Sequence, residues 1–131
     1  MDNKSFEEIK FKIISEIIVT KDSGDDSIVI NFEDGSSLEM YHEQDCCEEV
    51  WIEDIESNKN IDDYKDAVVI DMYVTTAENT ASSESGTFTF YNLNTSKGSI
   101  NIRWNGESNG YYSEEVSTYL FDSYGSKIKE Y

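Results

Sequence analysis

A chain of 131 residues suits one domain with one modest hydrophobic core. Its formal charge of −18 repels nucleic acid and anionic membranes and attracts basic protein surfaces. No run of roughly 18 apolar residues offers a membrane-spanning helix, and nine Tyr, six Phe and two Trp are too many aromatics for a disordered acidic tail.

Ser5 to Ile9 reads as one helical turn, with Ser5 as N-cap and Glu8 completing a capping box. Phe11 to Thr20 is rich in Ile and Val and predicts a strand. Lys21 to Asp26 is a turn, and its acids lack the regular ligand spacing of a calcium loop. Ser27 to Glu33 alternates, with Ile28, Ile30 and Phe32 on one face. Asp34-Gly35 is a hairpin signal. Ser37 to Glu43 then sets Leu38, Met40 and His42 against Glu39, Tyr41 and Glu43, so these three strands predict an antiparallel meander.

Glu49 to Ile55 predicts another strand, followed by an acidic loop or short helical turn around Ile61 and Tyr64. Ala67 to Thr76 is long and β-branched, a strand whose open edge could pair between subunits as a homodimer. Ala77 to Gly86 is small and polar and reads as an exposed, mobile loop. Thr87 to Leu93 places Phe88 and Phe90 on one face, and Ser99 to Trp104 groups Ile100, Ile102 and Trp104. Asn105 to Gly110 is a hairpin loop, and Tyr111 to Phe121 a last strand with a break near Glu114-Glu115. The tail from Ser123 has little pattern.

Seven to eight short strands, with turn signals between them, predict a mainly β single domain over residues 1–131, α+β only in having minimal helix. Antiparallel meanders would form a curled sheet or a small sandwich or barrel, with residues 1–10 and 122–131 peripheral. With no proline, turns fall to Gly, Asn, Asp and Ser. The polar, acidic start lacks the basic and apolar parts of a secretory signal, so a soluble cytoplasmic protein is expected.

Chemistry concentrates in His42-Glu43-Gln44-Asp45-Cys46-Cys47-Glu48, which holds the only histidine and both cysteines. As a metal site it would draw on His42, Asp45, Cys46 and Glu48, since zinc needs three or four such ligands. In an extended segment Cys46 and Cys47 point apart, and no second Cys or His pair completes the set. A nucleophilic cysteine needs a nearby base and a lowered pKa, whereas the surrounding acids push a thiol upward. Adjacent cysteines suit disulfide geometry poorly, so two free thiols are expected. The balance favours a structural turn, with His42 hydrogen-bonded on the face of Leu38 and Met40, Asp45 bracing the backbone, and one cysteine as a small core residue. No cofactor and no catalytic residue is assigned.

Two surface features suit recognition instead. From Glu43 to Asp66 ten acids face only Lys59 and Lys65. Glu48, Glu49, Glu53, Asp54 and Glu56 make this a belt that could copy the charge of DNA, although a solvated acidic surface accounts for the same composition. Glu107 to Tyr112 is a Gly-flanked loop offering Asn109, Tyr111 and Tyr112 as contact residues, or else a plain hairpin turn in which Asn109 and Gly110 take positive φ.

Three segments in order, Tyr41 to Glu48 with Val50 to Ile55, Thr87 to Tyr91 with Thr95 to Gly98, and Ile102 to Glu114, resemble a family of small uncharacterised domains found in phages and bacteria. The resemblance spans roughly Phe11 to Val116. The family's acidic-Leu-Ile-Gly turn is degenerate here, at Ile61 to Asp66. The resemblance implies a domain carried by phages and mobile elements, in the host cytoplasm if phage-encoded, and no established activity. Together these readings predict a non-enzymatic acidic accessory protein that binds a host protein, with no direct contact to nucleic acid or membrane. Its sharpest version inhibits a host defence or nucleic-acid-processing protein. The alternative is a small metal- or ligand-binding domain centred on His42 and Cys46.

Overall fold

In a computed structural model, residues 4–22, 25–82 and 84–131 are described. Ten strands follow in chain order: β1 (Lys4–Ser5), β2 (Ile14–Thr20), β3 (Ser27–Phe32), β4 (Ser37–Tyr41), β5 (Glu49–Ser57), β6 (Val69–Glu78), β7 (Ser85–Thr95), β8 (Gly98–Ser108), β9 (Ser117–Phe121) and β10 (Lys127–Glu130). They form two five-stranded antiparallel sheets, β1-β6-β7-β8-β5 and β10-β9-β4-β3-β2. Buried residues from both sheets make one apolar cluster, including Ile14, Ile30, Leu38, Ile52, Leu93 and Trp104. The mainly β expectation therefore holds, as two stacked sheets that do not close into a barrel.

The β2–β3–β4 meander follows directly from its alternation: Ile28, Ile30, Leu38 and Met40 are all buried. Gly35 turns the β3–β4 hairpin with a φ of 88°. β2 starts at Ile14 rather than Phe11 because Phe11 holds a φ of 68°. That turn lets Phe11 and Ile14 donate to the carbonyls of Val69 and Ala67, both at 2.8 Å, while Val69 donates to Lys12 at 2.9 Å. The segment thus stitches the second sheet to β6 of the first. Of the Ala67 to Thr76 edge, expected to be open to another subunit, Ala67 to Val69 is covered by this segment and Met72 to Val74 by Phe6 and β1.

Of the two ends expected at the periphery, the N-terminal one enters the core, while residues 123–130 stay exposed and only Tyr131 packs inward. Phe6 and Ile9 are fully buried, and the Tyr131 ring lies 4.3 Å from that of Phe6. Instead of a Ser5-capped α-turn, a 3-10 turn spans Glu7–Ile9 and Ser5 joins β1, because its hydroxyl turns to the Glu7 carboxylate (2.7 Å). The patternless tail supplies β10, which pairs with β9 although all four of its residues are exposed. The 3-10 turn Ile61–Tyr64 forms around a buried Tyr64, as expected. The anticipated 77–86 loop is shorter, since β6 runs to Glu78 and β7 starts at Ser85; Ser83 lies outside the described residues, as do Ser23 and Gly24 of the 21–26 turn. Tyr111 to Val116 is irregular, and the last predicted strand is confined to β9.

Candidate functional site

The 42–48 loop is organised around one carboxylate. Glu48 is 2% exposed, and its two oxygens accept from the backbone N–H groups of Cys46 and Asp45 (both 2.9 Å) and from His42 Nε2 (2.8 Å). Burial works to raise its pKa, but these donors outweigh it and hold Glu48 down at about 2. Gln44 closes the loop by donating to the Glu48 carbonyl at 2.6 Å. The other histidine nitrogen, Nδ1, meets the Glu115 carbonyl at 2.6 Å. Carboxylate and carbonyl are both acceptors, so the ring donates to both only with a proton on each nitrogen.

Cys46 and Cys47 are joined in a disulfide, where two free thiols were expected. The reason lies in the backbone: the segment bends around the Glu48 carboxylate instead of extending, and so brings the two sulfurs together. Among the described residues no group of three or more His, Cys, Asp or Glu side chains is arranged to hold a metal ion. His42, Asp45, Cys46 and Glu48 do not form one. Both ring nitrogens of His42 and both oxygens of Glu48 are engaged, and Cys46 offers no thiolate.

The acidic belt divides. Glu48 faces inward, so it presents no charge to a partner. Val50 and Ile52 of β5 fill the core, while Glu49, Glu53, Asp54 and Glu56 are exposed. A register shift between Ile52 and Asp54 places Glu53 and Asp54 side by side at a bulge. Arg103 approaches Glu53 at 3.9 Å and stacks 5.6 Å from the Phe88 ring. Among the described residues no ion pair engages Glu49, Asp54 or Glu56. The edge of β5 is plugged: Ile52 donates to the buried Asp26 carboxylate at 2.8 Å and accepts from Lys21 Nζ at 2.7 Å. At its far end Glu49 pairs with Glu107, two residues before Asn109. Asn109 accepts the Tyr111 N–H at 2.9 Å, Gly110 takes a φ of 90°, and Tyr111 is 83% exposed.

A second region was not singled out from the sequence. Between the sheets lies a cavity of about 520 Å³, open to solvent. Its walls are hydroxyl-rich: Thr87, Thr89 and Tyr91 from β7, Thr118 from β9, and Tyr112 from the 109–116 loop. Tyr91 and Thr118 bridge the sheets, oxygen to oxygen, at 2.7 Å. Glu114 is held over the cavity by the Thr87 hydroxyl (2.7 Å) and the Ser108 hydroxyl. Burial pushes its pKa up, but hydrogen bonds from Ser108, Thr87 and Ser85 outweigh this and lower it, so the carboxylate is ionised at neutral pH. Gly106 makes room: a Cβ there would stand 2.8 Å from the Glu114 carbonyl oxygen. The sequence signal was the Thr87-Phe88-Thr89-Phe90 alternation, in which threonines rather than phenylalanines turn inward.

One family model matches residues 3–118, so the chain belongs to DUF7448, a domain of unknown function. No curated protein and no solved structure matches it.

Proposed function

We propose that this member of a family without assigned function is a non-enzymatic binding module that docks a basic protein through the outer side of β5 and the adjoining 109–112 loop. The observation that carries this reading is the disposition of charge on β5. Glu49, Asp54 and Glu56 stand exposed on one strand with no ion pair among the described residues, in a chain of charge −18. Exposed unpaired charge of one sign accelerates encounter with an oppositely charged surface and selects against acidic ones. Arg103 against Phe88, beside this strip, and the exposed Tyr111 add residue types enriched at interface centres. The plugged edge at Ile52 favours docking on the face over addition of a strand. In a phage or mobile-element setting, a host defence or nucleic-acid-processing protein is the class whose basic surface such a strip fits.

The test is a quantitative pull-down from host lysate with the native chain and with a Glu49→Lys, Asp54→Lys, Glu56→Lys variant. The native chain should retain a salt-sensitive, basic partner, and the variant should release it. An unchanged partner set after charge reversal would remove β5 from the interface.

A further inference from the structure

Inward positions of a β-sandwich are normally apolar, because they fill the layer between the sheets. That holds over most of this molecule but stops at the cavity. There β7 presents Thr87 and Thr89 inward, and β9 answers with Thr118. Thr118 is satisfied by Tyr91, and Thr87 by Glu114. Thr89 is 4% exposed, and its hydroxyl has no hydrogen-bond partner among the described residues. Directly across the β7–β8 ladder, on the same inner face, Trp104 is 1% exposed and its indole Nε1 also lacks a partner. The Thr89 hydroxyl is turned to the cavity and its solvent, whereas the sealed Trp104 N–H costs roughly 1–3 kcal/mol, and such groups are rare enough in proteins to need a cause.

We propose that the cavity is a binding site for a small, neutral, polyhydroxylated molecule of the saccharide type. Hydroxyl walls both donate and accept, which matches ligand hydroxyls and not a purely accepting anion. Among the described residues Glu114 and Glu115 line the cavity against one cation, Lys4, which disfavours phosphates and other anions. Both Glu114 oxygens are already engaged by protein hydroxyls, which makes the carboxylate a better acceptor of a further neutral O–H than a counter-ion. Tyr112 and Tyr131 supply the apolar faces on which the C–H side of a sugar ring rests. The volume lies within the range of small-molecule sites, about 300–1,000 Å³. The site shares the 109–112 loop with the docking surface but none of the β5 carboxylates, so charge reversal on β5 and saccharide titration fail separately.

The test is a titration of the full ¹⁵N-labelled chain with D-glucose, N-acetyl-D-glucosamine, maltose and chitobiose as neutral probes. Glucose 6-phosphate and glucosamine serve as the charged counterparts. Saturable shifts at the amides of Thr87, Thr89 and Thr118 with a neutral probe, and none with the phosphate, are expected. Thr89→Val should weaken that binding about tenfold, the loss of one net hydrogen bond. Thr76→Val, at the cavity's outer wall, serves as the second variant should Thr89→Val perturb folding. No saturation by any neutral probe, shifts centred elsewhere, preference for a charged probe, or unchanged affinity in the folded variants would each overturn the proposal.

Discussion

The 42–48 loop and the hydroxyl-lined cavity are both rich in polar side chains, and they use them in opposite ways. In the loop the two buried groups are turned on the protein: Glu48 on two backbone N–H groups and His42, and His42 on the Glu115 carbonyl. In the cavity, polar groups line a solvent-open space, and no hydrogen bond joins the Thr89 hydroxyl to another described residue. Density of reactive residue types in the sequence therefore marks the brace, while hydroxyls gathered around an open space mark the candidate site. The two are mechanically joined, because His42 anchors the strand-free segment that carries Glu114 and Glu115 to the cavity wall.

The sharpest way to break this contrast is to remove the charge at the centre of the brace. Glu48→Gln keeps the shape but sets an NH₂ group against donors that now meet a carboxylate, so the largest loss of stability in this set is expected, read as a fall in denaturant midpoint. The pH dependence follows from the sign of the shift. A folded pKa of about 2, below the ordinary 4.5, means that Glu48 stabilises the fold fully above about pH 4.5 and loses this as pH falls toward 2. Asp34 behaves alike: burial raises its pKa, Lys12 and Ser36 lower it more, and it too sits at about 2. The informative quantity is thus the difference between native and Glu48→Gln proteins, which should shrink between pH 4.5 and 2 while the Asp34 contribution cancels. A difference constant across that window would mean that the carboxylate does not organise the loop.

Next in size is the approach that brings the cavity wall to β8. Gly106→Ala would press a methyl group on the Glu114 backbone, with contacts of 2.8 Å to its carbonyl oxygen and 2.9 Å to its Cβ. A cost of about 1–3 kcal/mol is expected for such overpacking, with faster amide exchange across residues 109–116. His42→Ala reaches the same segment from the other side by freeing the Glu115 carbonyl. Raised exchange at 114–116 in both variants, by different routes, would establish the mechanical link; raised exchange in Gly106→Ala alone would confine His42 to its own loop.

Most of the two meanders was legible because one face of each strand is buried and register then admits a single solution. Ile28, Ile30, Leu38 and Met40 declare their side without ambiguity, and so do Ile100, Ile102 and Trp104. What escaped reading depended on partners distant in sequence. β10 is a strand only because β9 offers it an edge, and its exposed residues carry no pattern. Phe11 adopts its left-handed turn to bridge two sheets, a demand that no local propensity expresses. The cysteine pair was placed by the geometry of an extended segment, whereas a buried carboxylate two residues on bends it. In the Thr87-Phe88-Thr89-Phe90 run the pattern gave the period correctly but not which face turned inward. Tyr91 and Leu93, in step with the threonines, decide that.

A smaller effect separates structural hydroxyls from available ones within the cavity itself. Tyr91→Phe removes the bridge to Thr118, a residue 2% exposed, and leaves that hydroxyl without its partner. About 1 kcal/mol should be lost. Removing both, as Tyr91→Phe with Thr118→Val, should cost less than the two single changes together, because no polar group is then left stranded. Strict additivity in the measured unfolding free energies would show that the bridge does not hold the two sheets.

The smallest stability effect belongs to Thr89→Val, and its smallness is the point. Valine matches threonine in shape and β-branching, and the hydroxyl it deletes lines the cavity with no hydrogen bond to another described residue. Unfolding free energy should therefore change by no more than about 0.5 kcal/mol, with a gain as acceptable as a loss. A fall of 1 kcal/mol or more, of the size expected for Tyr91→Phe, would show that Thr89 is bonded within the fold after all and would place it with the brace. A hydroxyl that lines the cavity and that folding does not use is free to meet a ligand. Only a site makes the same substitution silent in unfolding and visible in saccharide binding.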